Sequence, residues 1–139
     1  MSKTFQLDIR TPEGIAWQGV AQIVTLPGRK GAFQVLINHA PLLTELEPGE
    51  VRIVGEDGKE QVFASSGGFA EVRMNLVTVL SETVEAAEKI DTSRAREAKN
   101  RALERIKASR LGSGEGVDRL RAEAALARAE NRLKIAARL

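Results

Sequence analysis

The sequence predicts an all-β part followed by an α part: an N-terminal antiparallel β-sandwich over residues 1–84 and a C-terminal antiparallel αα-hairpin over residues 85–139. Three observations carry the prediction. Apolar and polar residues alternate with period two through the first part, the spacing of strands with one buried face. Past Ile90 the apolar residues recur at three- and four-residue intervals, which is helical spacing. The charge also changes sign, with 7 Lys/Arg against 10 Asp/Glu in the first part and 14 against 9 in the second. The net +2 of the chain is thus the sum of an acidic sandwich and a basic hairpin.

Taken in order, Phe5, Leu7 and Ile9 alternate with Gln6, Asp8 and Arg10 and give the first strand. Pro12-Glu13-Gly14 turns the chain, and Val20, Val24 and Leu26, set around Gln22 and Thr25, give the second. Gly28-Arg29-Lys30-Gly31 lacks the order of a phosphate loop and precedes no helix pattern. It reads as an exposed turn, with Arg29 and Lys30 available to a partner. Strand runs follow at residues 33–36, 51–54, 61–64 and 76–80, punctuated by Pro48-Gly49 and Glu56-Asp57-Gly58. Many short strands at this spacing, with no helix between them, belong to a sandwich or barrel.

Two segments of the first part need a separate reading. In Leu36-Ile37-Asn38-His39-Ala40-Pro41-Leu42-Leu43-Thr44 a polar pair precedes an apolar corner stiffened by proline. Asn38 and His39 are either satisfied by backbone groups of a turn or form part of a partner surface. In Ser65-Ser66-Gly67-Gly68-Phe69-Ala70 the two glycines allow a bulge or a tight backbone approach between strands.

In the second part Ala95, Ala98, Ala102 and Ile106 make one stripe, and Ala122, Leu126, Ala129, Leu133 and Ala137 another. Gly112-Ser113-Gly114-Glu115-Gly116 separates them, and Asp91 and Asp118 stand as N-caps of the two helices. Alanine stripes permit close antiparallel approach but bury little area, so the expected hold is weak. A weakly held hairpin is free to detach, extend or be captured by another surface.

Several function classes drop out. With no cysteine there are no disulfides or thiolate metal sites. The single histidine, His39, has no partner for a metal centre or a nucleophilic triad, so the chain reads as non-catalytic with no required cofactor. The N-terminus lacks a signal-peptide core, and no apolar run reaches the roughly 20 residues needed to span a bilayer. Nucleic acid is a poor match for the basic hairpin, which holds no aromatic residue for stacking. A basic helical adaptor or a nucleic-acid-binding protein remains the alternative class, and neither accounts for the sandwich motifs.

Asn38-His39-Ala40-Pro41-Leu42-Leu43-Thr44, the preceding Leu26-Pro27-Gly28, the later Gly67-Gly68-Phe69-Ala70-Glu71-Val72 and the alanine/arginine hairpin, in that order, resemble the epsilon subunits of bacterial F-type ATP synthases. The resemblance covers essentially the whole chain. It implies a non-catalytic rotor subunit whose sandwich binds the gamma subunit and the membrane ring of c subunits, peripheral to the cytoplasmic face of the bacterial membrane. It further implies a mobile hairpin that reaches the catalytic beta subunit when extended and restrains ATP hydrolysis. Gln34 stands where family members often have glycine, and Ile37-Asn38 where they often have Pro-Gly, which puts local loop shape in question.

Ile90-Asp91-Thr92-Ser93-Arg94-Ala95 resembles the Ile/Leu-Asp-x-x-Arg-Ala motif through which some members bind ATP on the folded hairpin. By that resemblance Glu85, Ile90, Asp91, Arg94, Arg101, Arg128 and Arg132 fall where ATP-binding members place contacts, with ATP a regulatory ligand. Helical geometry agrees, since at about 100° per residue Arg94 and Arg101 lie within about 20° of each other. Arg128 and Arg132 are one turn apart on the second helix, so four guanidiniums converge on a polyphosphate if the hairpin folds. Asp91 and Glu85 would then face the base end. The same Asp91-x-x-Arg94 is also a capped helix start, and the other arginines also make a solvated face or a surface for acidic partner residues.

Overall fold

The computed structural model describes residues 3–110 and 116–137, the side chains of residues 110 and 116–118 excepted. Alternation in the first part resolves, among these residues, into strands β1 (Phe5–Thr11), β2 (Gly14–Gly28), β3 (Gly31–Val35), β4 (Leu42–Leu46), β5 (Gly49–Gly55), β6 (Glu60–Ser65), β7 (Gly68–Arg73), β8 (Leu76–Ser81) and β9 (Val84–Ala86). A 3-10 turn (Ala87–Lys89) precedes helices α1 (Thr92–Arg110) and α2 (Gly116–Ala137). The chain divides into two units, Met1–Ala86 and Ala87–Leu139.

In the first unit the strands run β1-β8-β7-β4-β2-β5-β6-β9, with β3 beside β2, and β1 pairs with β2 as well. β2 makes this possible because it is 15 residues long. Its first half pairs with β1 and its second half with β3 and β5, so one strand belongs to both layers of the sandwich. A register shift between Ala21 and Ile23 in its pairing with β5 marks the crossing, as bulges do where a strand bends.

The inward phase of the alternation makes the core: Phe5, Leu7 and Ile9 of β1, Val24 and Leu26 of β2, Val51 and Ile53 of β5, Val77 and Val79 of β8. Below it sits a small polar knot. Ser65 and Ser81 are buried with hydroxyls 3.0 Å apart; Ser81 donates to the Gly67 carbonyl at 2.6 Å, and Ser65 accepts from the Gly67 amide at 3.1 Å. This holds the Gly67-Gly68 corner, where φ is +98° and +143° and a Cβ on Gly68 would overlap the Leu80 carbonyl. The tight approach expected of these glycines is present.

The structure departs from the sequence reading in three ways. β4, β7 and β9 were not among the expected strands; β4 follows directly from the Pro41 corner and pairs with β7. β1 and β8 pair parallel, inside an otherwise antiparallel set. And the short second strand is half of a longer one.

In the second unit Ala95, Ala102 and Ile106 of α1 and Ala122 and Ala129 of α2 are buried, with Ala98, Leu126 and Leu133 half-buried. The two expected stripes thus form the seam of a two-helix hairpin. Ala137 does not belong to it and is exposed, whereas Ile135 is 2% exposed. Ile135 lies about 140° from Ala122 on the helical wheel, so its burial is separate from the seam. Helix α2 begins at Gly116, which puts Asp118 in its first turn and not before it. The Asp118 side chain and residues 112–115 lie outside the described set. No described helix is long and apolar enough to cross a membrane.

One surface carboxylate should leave a mark on acid stability. Asp8 accepts from Gln6 Nε2 at 3.0 Å and Gln18 Nε2 at 3.3 Å, with Arg10 at 3.7 Å. The Gln6 hydrogen bond first, then Gln18 and Arg10, holds its pKa below the ordinary carboxylate value against the opposing effect of partial burial. A carboxyl depressed on folding stabilises the fold above its unfolded pKa, and that contribution fades as pH falls through the folded value. Asp8→Asn should therefore lose less melting temperature than the unaltered chain between about pH 5 and about pH 2. Parallel melting curves would count against this account.

Candidate functional site

The start of α1 is built by Asp91. Its Oδ1 accepts from the Arg94 amide at 3.0 Å, and its carbonyl accepts from the Ala95 amide at 3.0 Å. This is an N-cap on the third helical residue, satisfying one of the exposed amides of the first turn. Just upstream the Ile90 amide donates to the Ala87 carbonyl at 3.3 Å, which closes the 3-10 turn, and the Ile90 side chain is buried. The capping reading of Asp91 is therefore realised, with one oxygen committed to the helix.

Arg94, Arg101 and Arg128 are exposed, and Arg132 is half-buried. Each directly precedes a residue of the seam: Ala95, Ala102, Ala129 and Leu133. A residue one position before a seam residue points about 100° to one side of it. Antiparallel helices in a hairpin are related by a two-fold axis perpendicular to both, which carries the same angular offset to the same face. The four guanidiniums therefore line one flank of the hairpin. Ile90 and Asp91 belong to the same unit, while Glu85 lies on β9, opposite Ala64 of β6, in the first unit.

Among the described residues Arg94, Arg101 and Arg128 make no ion pair. Such a flank is chemically suited to anions. Guanidiniums offer forked donors matched to phosphate and carboxylate oxygens, and the seam fixes their spacing.

The remaining candidates lie on the sandwich. Arg29 and Lys30 form the two-residue turn between β2 and β3, closed by the Gly28–Gly31 pairing. Arg29 is not free: Nη1 sits 2.7 Å from Glu45 Oε2, and that hydrogen bond, with the Glu45 charge, raises its pKa. Asn38 has φ of +62° and exchanges two hydrogen bonds with Asn75: its amide donates to Oδ1 at 2.7 Å, and its own Oδ1 accepts from Nδ2 at 3.2 Å. His39 Nδ1 is 2.7 Å from the Ala40 carbonyl, an arrangement that places a proton on Nδ1. The turn reading of this segment is thus realised. The structure joins Asn38 to the β7–β8 turn, whereas Arg29 and Lys30 stand at the other end of β3, about 17 Å of strand away.

Sequence reasoning missed an apolar surface. Phe69 of β7 and Leu80 of β8 are directly paired, and both are more than half exposed. With Arg10 and Glu82 they line a shallow groove of about 550 Å3. At the other end of β7, Met74 is 89% exposed in the turn that meets Asn38. The signal was present: Phe69 occupies the polar phase of β7, in step with Glu71 and Arg73, while Ala70 and Val72 are buried. An aromatic side chain in the polar phase of a strand, paired with an exposed leucine, makes a local apolar patch.

Comparison with known proteins agrees along the whole chain. Residues 4–87 match the family described as ATP synthase, delta/epsilon chain, beta-sandwich domain, and residues 88–137 match its long alpha-helix domain. An ATP synthase epsilon chain of Desulfitobacterium hafniense (strain Y51) is 44% identical over 136 residues, 98% of each chain. One from Shouchella clausii is 42% identical over 133 residues, 96% of this chain and 95% of its own. Among solved structures, a chain of the Euglena gracilis mitochondrial ATP synthase OSCP/F1/c-ring assembly superposes with TM-score 0.83 at 23% identity, covering 100% of this chain and 84% of that one. At that identity the likeness is one of fold.

Removal of the cap should be visible on its own. Asp91→Ala should cost the hairpin about 1 kcal/mol, while Asp91→Asn, also a good N-cap, should keep most of it. Amide exchange in the first turn of α1 reads the difference, and equal protection in both variants would argue against the cap.

Proposed function

This chain belongs to the ATP synthase delta/epsilon chain family, and on that premise we propose that it is a non-catalytic subunit of the F-type central stalk. The observation that carries the reading is the match of both family domains, in order, over residues 4–137. In this reading the sandwich joins the gamma subunit and the ring of c subunits, peripheral to the membrane on the cytoplasmic face. The exposed Phe69–Leu80 pair and the Asn38–Met74 end support two separate attachment surfaces, as a part wedged between two partners requires. His39 is engaged by a backbone carbonyl, in keeping with a role in contact and not in chemistry.

The hairpin regulates. Extended, it meets the catalytic beta subunit and restrains ATP hydrolysis; folded, it presents the flank of Arg94, Arg101, Arg128 and Arg132 to the phosphates of ATP. The second oxygen of Asp91 serves the base end. A nucleotide bound only to the folded hairpin stabilises that state by RT ln(1 + [L]/Kd). Coupling to the state of the cell follows from occupancy alone.

Two experiments test the two parts. Deletion from Asp91 onward should leave a folded sandwich that still enters the complex, because the core residues of the sandwich all precede residue 80; unchanged ATP hydrolysis by that complex would remove the inhibitory role. Calorimetry of the isolated chain should show ATP binding that Asp91→Ala and Arg94→Ala weaken, by about tenfold for each lost charge-assisted contact. No heat from the unaltered chain at millimolar ATP would end the nucleotide reading.

A further inference from the structure

The arginine flank is longer than a nucleoside triphosphate needs. Two more arginines directly precede seam residues: Arg105 before Ile106 and Arg121 before Ala122. Both are exposed and, among the described residues, neither makes an ion pair. The spacing repeats, seven residues then four, as Arg94, Arg101, Arg105 on α1 and as Arg121, Arg128, Arg132 on α2. Arg105 lies five residues from the end of α1 and Arg121 five residues from the start of α2, so the antiparallel pair sets them side by side near the connection. Each row runs about 16 Å along its helix, and helices in contact lie about 8–10 Å apart.

The opposite flank shows that this is not mere basicity. The residues directly after the same seam positions are Arg96, Leu103, Lys107, Glu123, Glu130 and Lys134, a mixed set. There Glu123 pairs with Arg119 at 3.1 Å. Before Ala95, Ala102, Ile106, Ala122, Ala129 and Leu133 every position is arginine, a charge of +6, whereas the six positions after them sum to +1. Guanidiniums held at this spacing repel one another, and a Debye length of about 8 Å leaves much of that repulsion unscreened. A ligand that relieves it is long, linear and charged at every unit.

We propose that the six-arginine flank binds linear inorganic polyphosphate, with Arg105 and Arg121 forming the subsite beyond the reach of a triphosphate. The inference shares four arginines with the nucleotide reading and rests on it for those alone. Phosphate is favoured over nucleic acid because the hairpin carries no aromatic residue on which bases could stack. It is favoured over an acidic peptide because phosphates carry charge along the chain itself, matching two parallel rows of forked donors without apolar anchors.

The test uses the full chain with sodium polyphosphate, sodium tripolyphosphate, ATP and poly-glutamate in calorimetry. Polyphosphate should bind at least about tenfold more tightly than tripolyphosphate. The double variant Arg105→Gln/Arg121→Gln, with helix content checked by circular dichroism, should erase that margin and leave tripolyphosphate and ATP affinity within about twofold. Equal affinity for the long and short phosphates would overturn the proposal, as would a double variant that keeps the margin or poly-glutamate binding as tightly at equal charge. If ATP fails to bind while the polyphosphate margin appears and depends on Arg105 and Arg121, the nucleotide reading falls and the polyphosphate site stands. If ATP binds and no margin exists, the outcome is the reverse.

Discussion

The small side chains of the hairpin seam constrain everything that the second unit does. Ala95, Ala102, Ala122 and Ala129 are buried and bring the two helix backbones close. Close approach sets the distance between the arginine rows, so the seam is also the ruler of the arginine flank. The same alanines contribute little hold. A buried methyl-sized group is worth about 0.8 kcal/mol, against about 1.5–3 kcal/mol for a large aliphatic side chain. A seam of leucines would fasten the pair and push the guanidinium rows apart. Alanine instead gives a precise surface that comes apart at modest cost, which suits a part whose proposed work is to exist in two positions.

Much of this fold was legible because the chain keeps its two periods apart. β1 announces itself through Phe5, Leu7 and Ile9, and the burial pattern follows the alternation residue by residue. The strands that escaped notice are those where alternation is broken for a reason. In β7 the outward position 69 holds an exposed phenylalanine, so the binary pattern blurs there. β9 is three residues long and half-buried throughout, too short to show a period. Ile135 is a different case: it is buried outside the stripe that spacing alone selects, and Ala137, which the stripe includes, is exposed.

The candidate site divides in the same way. Asp91 was legible as a cap because the cap is local, a carboxylate three residues from the amide that it meets. The arginine flank was legible in part, since helical spacing gives the face of each helix but not which flanks coincide; that needs the antiparallel pairing of the seam. The sandwich contacts were least legible. The strand between Arg29-Lys30 and Asn38-His39 was legible, but nothing in the spacing reveals that Asn75, far along the chain, holds Asn38 in place.

The parallel pairing of β1 with β8 carries a consequence for how the molecule is made. Gln6 meets Leu76, a partner about seventy residues downstream. While the chain grows from the ribosome, β1 can pair early only with β2, and the sheet stays open along its other edge until β8 emerges. Closure of such a long loop is slow relative to helix formation, which is local. The sandwich is therefore completed only as the hairpin sequence is being synthesised, and α1 and α2 appear last, at the tethered end. Until β8 arrives one edge of β1 lacks its neighbour and is open to pairing with another chain, beyond the edges that β3 and β9 keep in the finished sheet.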